Sequence, residues 1–132
     1  MAGVSSLVKN QGFLDRAGIL CSGACAIHCA LTPILALLAP TLTVQFESEW
    51  VHLLLLLLIL PISGTAFYRL KKKHGQNLPM ILGIVGGLLL LLAVLTEKIA
   101  ALDIHGLELI LTVTGSVVLI VGHLLNLREL KR

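Results

Sequence analysis

Four runs of apolar residues separated by short polar segments organise the chain, near Ala17–Ala39, Trp50–Tyr68, Leu78–Leu95 and Gly106–Leu127. Each is close to the roughly 20 residues that a helix needs to cross a bilayer. The runs are too long for membrane strands and do not alternate, so strand pairs are excluded. Hydrocarbon offers no water to satisfy backbone groups, and each run therefore reads as a helix. The connections are short: Thr41–Glu49, a basic turn Arg69–Asn77, and Thr96–His105. A cleaved signal peptide does not fit the first run, which is too long for an apolar leader core and carries Cys25, His28 and Cys29 at its middle. The expected fold is all-α: one domain over residues 1–132, with four transmembrane helices in an antiparallel bundle.

Composition narrows the function. Of 132 residues, 57 % are hydrophobic and 13 % charged, with mean hydropathy +0.99. A soluble domain is about one quarter charged, and a chain this short has too little interior to hide so much apolar surface from water. A soluble enzyme is thereby excluded. Three cysteines spaced by four fit no disulfide framework, and the chain has no glycine loop of the kind that couples transport to ATP.

The net charge of +3 is distributed in a telling way. Nine of the ten Lys and Arg fall in the N-terminal tail (Lys9, Arg16), the middle turn (Arg69, Lys71, Lys72, Lys73) and the C-terminus (Arg128, Lys131, Arg132), against Lys98 alone elsewhere. This asymmetry predicts that both termini are cytoplasmic. Glu47, Glu49, Glu97, Asp103 and Glu108 fall on or near the opposite side, and Phe46, Trp50, Phe67 and Tyr68 suit interfacial belts. The basic residues are topology signals beside anionic lipid rather than a nucleic-acid surface.

The first helix carries the densest chemistry. At about 100° per residue, Cys21, Cys25, His28, Cys29 and Thr32 fall within an arc of about 100°. Cys25 and Cys29 are i,i+4 neighbours, with Cβ atoms roughly 5–6 Å apart, so two thiolates could clasp one soft ion with His28 as a third donor. Sulfur ligands select soft or borderline metals such as Zn, Cu(I) or Hg. Pro33 should kink the helix and free the Cys29 carbonyl. The competing reading is packing, since buried Cys serves as a small hydrophobe and Pro is frequent in membrane helices. An intramembrane His, however, is costly and usually functional.

The fourth helix carries a matching stripe of His105, Glu108, Thr112, Ser116, His123 and Asn126. His123 reads either as a metal donor near the inner face or as an interfacial imidazole reaching the headgroups. Glu49 and His52, at i and i+3, are either a ligand pair or solvated at the outer boundary, and His74 is expected in solvent. Matching depths would put Cys21 level with His123 and His28/Cys29 level with Ser116, with Glu49, His52, His105 and Glu108 at the outer mouth. Gly83 and Gly87, at GxxxG spacing, read as helix packing.

The segment Cys25-Ala-Ile-His28-Cys29 with Pro33 resembles the MerC family of small four-helix membrane proteins tied to mercury resistance. The likeness continues through Glu49-Trp50-Val51-His52, the Gly83…Gly86-Gly87 helix, Leu111-Thr112, Gly115-Ser116, Gly122-His123 and Asn126-x-Arg128. It implies a MerC-like domain in the bacterial inner membrane that passes mercuric ion inward, with Cys25 and Cys29 as its ligands. This chain departs from that family's pattern by a Cys-x3-Cys spacing with His28 inserted, and no Cys follows Cys29.

The expected function is binding, with transport, of a soft or borderline cation, mercuric by resemblance, at Cys21, Cys25, His28, Cys29, Glu49, His52 and His123. The added His, Glu and Asn donors would suit Zn²⁺ at least as well. The rival is a structural or sensory membrane adaptor without transport. Neither an enzyme nor a tightly bound cofactor is expected. The partners are the bilayer and the cation, and so narrow a bundle leaves room for a homo-oligomer.

Overall fold

A computed structural model describes residues 2–39, 49–98 and 105–131. These form α1 (Ala2–Leu38), α2 (Glu49–His74), α3 (Leu78–Lys98) and α4 (His105–Leu130), with no strand among the described residues. Each contains a stretch long and apolar enough to span a membrane: Asn10–Thr32, Leu53–His74, Leu78–Thr96 and Gly106–Leu130. The expected outer connections, with Phe46, Glu47 and Asp103, lie outside the described residues, as do the side chains of Glu49, His52, Glu97, Lys98 and His105.

Two boundaries move from the sequence reading. α1 begins at Ala2, so the helix extends well before the apolar run that starts near Ala17. The polar residues Gln11, Asp15 and Arg16 look like a solvated tail in sequence but are helical, and Gln11 and Asp15 are buried in the bundle. Likewise the basic segment from Arg69 is not a turn. Lys71, Lys72, Lys73 and His74 make the last turn of α2, where cations meet the negative end of the helix dipole. Gly75 then takes the left-handed conformation (φ 68°) and donates its N–H to the Lys71 carbonyl at 2.9 Å, the usual glycine stop. α3 starts directly afterwards, with Pro79 in its first turn, where no backbone donor is needed. α1 remains helical past Pro33 to Leu38.

The helices form a bundle in which α1 packs on α4 and α2, and α3 packs extensively on α4 but sparsely on α2. Early residues of one helix meet late residues of the next: Asp15 meets His123, Gln11 meets Ala66, and Leu82 approaches Gly122. Only 28–33 % of each span is buried inside the bundle. Ile27, Leu57, Ile110 and Val117 stand outward, as they must where the surrounding solvent is hydrocarbon.

The GxxxG segment is spent inside the bundle. Gly83 lies against the Phe67 ring, and Gly86 meets Gly115 so closely that a Cβ on either would lie 3.0 Å from the other's carbonyl oxygen. A side chain at Gly86 would also press on Leu119 Cγ at 2.7 Å. Gly86→Val is therefore expected to destabilise the protein by about 1–3 kcal/mol in detergent unfolding. Gly23→Val, whose Cβ meets nothing within 4 Å, should be near neutral.

Candidate metal centre

The buried face of α1 is built from Gln11, Asp15, Gly18, Ser22, Cys25 and Cys29. These positions alternate steps of four and three, the repeat that keeps one seam of a helix against its neighbour. None is a large aliphatic residue. Across the seam α4 buries Thr112, Gly115, Ser116, Leu119, Gly122, His123 and Asn126. The α1–α4 seam is thus mostly polar and small-residue, while the large apolar core comes chiefly from α2 and α3, with Leu56, Ile59, Phe67, Leu70 and Leu90.

Cys25 and Cys29 close this seam at the end away from Lys71–Lys73, each 6 % exposed and neither in a disulfide. Their thiols are hydrogen-bonding neighbours, the Thr112 hydroxyl lies within reach of Cys29, and the Glu108 carboxyl is near enough to act on it electrostatically. Thr112 also donates to its own helix, at the Glu108 carbonyl, at 2.9 Å. Cys25, Glu108 and Thr112 line a cavity of about 20 Å³ with Leu56, Ile59 and Leu90, room for one water-sized occupant. Cys21 is only partly buried and packs on the edge of the core. His28 is half-buried, and Thr32 donates to its carbonyl at 2.9 Å. Among the described residues, no three of His, Cys, Asp and Glu gather as one ion's ligands. What the fold brings together is therefore a pair of thiols, with a carboxyl and a hydroxyl nearby.

Nearer the Lys71–Lys73 end lies a second polar group, which sequence reasoning missed in part. His123 Nδ1 is 2.8 Å from Asp15 Oδ1, and its Nε2 is 2.9 Å from Ser63 Oγ. Asn126 Nδ2 donates to both Asp15 oxygens, at 2.9 and 2.8 Å. The imidazole lies 4.5 Å from the Phe67 ring centroid at 32°, and its other side rests on the bare backbone of Gly18, where a Cβ would collide with it. Asp15, His123 and Asn126 are completely buried. With Nδ1–H given to Asp15, a neutral ring accepts the Ser63 hydroxyl at Nε2, and a doubly protonated ring donates at both positions. Either way both ring nitrogens are occupied. His123 can reach an ion only by giving up one of these bonds, so it serves here as the centre of a clasp joining α1, α2 and α4.

The depth matching also changes. His123 lies opposite Asp15 and Gly18, not Cys21, and Cys29 lies opposite Thr112, not Ser116. Ser22 and Ser116 then fall at one depth, each seven residues, or about 10 Å, from the clasp. Both are fully buried and their hydroxyls make no hydrogen bond among the described residues, as is true of Asn126 Oδ1. Asp15 could have been found from sequence: it continues the four–three repeat of Cys25 and Cys29 backward through Ser22 and Gly18.

No curated protein and no solved structure matches the chain. The family profile of the MerC mercury resistance protein matches residues 15–128, from the buried aspartate of the clasp through both thiols to the end of the α4 stripe. With four membrane-spanning helices and a profile match over most of its length, the chain belongs to the MerC family of mercury-resistance membrane proteins.

Proposed function

We propose that this protein takes up mercuric ion within the membrane on the paired thiolates of Cys25 and Cys29 and passes it along the seam between α1 and α4. The observation that carries this reading is the thiol pair itself: two buried sulfurs one helical turn apart, beside a cavity the size of one water. Soft thiolates select soft ions, whereas zinc asks for about four donors in a tetrahedron. A centre with two thiols suits mercury better than zinc. Each thiol gives up its proton as the ion binds, so binding releases protons and weakens in acid. From the thiols the seam continues to the unpartnered hydroxyls of Ser22 and Ser116 and then to the clasp, which has to open for an ion to leave. The clasp end is the basic end of the bundle, and the nine-to-one distribution of Lys and Arg assigns it to the cytoplasm. Passage is then inward.

Mercuric entry into vesicles or cells carrying single-cysteine variants tests this. Cys25→Ser or Cys29→Ser is expected to lower entry by more than about tenfold, since even outer-shell changes at metal sites cost 10–100-fold in affinity. Cys21→Ser, at the edge of the core, should keep most of it. A structural adaptor would tolerate all three changes, and equal entry in all of them would replace the transport reading with that one.

A further inference from the structure

The sparse packing of α2 on α3 leaves a groove of about 280 Å³ between them, apolar and open to the membrane. Its α2 wall includes Leu60, Gly64 and Tyr68, and its α3 wall includes Ile84, Leu88 and Leu91. On α3 the lining runs from Met80 to Leu91, about 16 Å at helical rise, which is close to half of a hydrocarbon core about 30 Å thick. The groove therefore has the depth of one leaflet.

Its two ends differ. The α2 stripe Leu60, Gly64, Tyr68 continues at i+3 and i+4 into Lys71 and Lys72, both exposed. Tyr68, 61 % exposed, is the last α2 residue of the lining at that end. An apolar trough one leaflet deep thus ends one helical turn from two exposed lysines. We propose that this groove binds one anionic phospholipid, with an acyl chain between α2 and α3 and its phosphate on Lys71 and Lys72.

A second copy of the chain fits the groove less well. Copies in one membrane share an orientation, so pairing across this groove would bring their Lys71–Lys73 segments to the same depth, where they repel. Two of the groove's three glycines already pack within the bundle, Gly83 against Phe67 and Gly87 against Leu60, which leaves Gly64 alone open. Lipid phosphate complements the same charge, at about 1 kcal/mol per Lys near an anionic surface.

Native mass spectrometry of the full-length protein, equilibrated with equal amounts of phosphatidylglycerol and phosphatidylcholine, tests the proposal independently of mercury. The parent should retain one phosphatidylglycerol per chain. The pair Lys71→Gln and Lys72→Gln should lower the preference for phosphatidylglycerol by about fivefold per lysine. Gly64→Leu fills the groove from a position whose Cβ meets nothing within 4 Å and should lose the retained lipid. Ile84→Trp fills it from the opposite wall, so a folding defect in one variant does not decide the result. Equal retention of the two lipids by the parent, undiminished retention in the filled variants, or a lipid-free dimer would each overturn the proposal.

Discussion

Asp15→Ala is expected to loosen the bundle more than any other single truncation of a polar side chain. Asp15 accepts from His123 and twice from Asn126, all at 2.8–2.9 Å and with no exposure to water. Its loss leaves an imidazole N–H and an amide buried without acceptors. Interhelical hydrogen bonds in membranes average only about 0.6 kcal/mol, which argues for a small effect. Orphaned buried donors cost about 1–3 kcal/mol each, and no water reaches this closed site to replace the carboxylate. The second effect wins, and a loss of about 2–4 kcal/mol is expected in detergent unfolding. Asp15→Asn, which keeps an acceptor, should lose less. A parent-like unfolding midpoint for Asp15→Ala would show that the clasp does not hold the helices together.

The second large effect concerns the thiols. Replacing Cys25 and Cys29 together by Ser substitutes hard hydroxyls for soft sulfurs in nearly the same volume. The fold should survive, because both side chains stay small in a seam of small residues. Mercuric affinity should fall by more than about a hundredfold, since both soft ligands are gone. Far-UV circular dichroism and equilibrium binding on the same sample separate the two statements.

The fold was legible because hydropathy alone decides where a chain this apolar can be helical. Helix ends were less so. Gly75 stops α2 only after the lysines have completed its last turn, and α1 tolerates a buried Asp15 because His123 and Asn126 of α4 supply its partners. The thiols of Cys25 and Cys29 and the stripe of Thr112, Ser116, His123 and Asn126 were readable from spacing, and both lie on the α1–α4 seam. The role of His123 was not, because it depends on Asp15 and Ser63, which lie 108 and 60 positions away in the chain. Gly18 illustrates the same limit: its lack of a side chain makes sense only once the imidazole is seen to rest there.

The central claim is that one mercuric ion is held jointly by Cys25 and Cys29, and counting thiols tests it most directly. The protein has three cysteines, none in a disulfide. In protein reconstituted into bilayers and given one equivalent of mercuric ion, two should become unreactive toward a membrane-permeant alkylating reagent. Peptide mapping should then find the surviving alkylated residue at Cys21. Protection of a single thiol, of none, or of a pair that includes Cys21 would contradict the account.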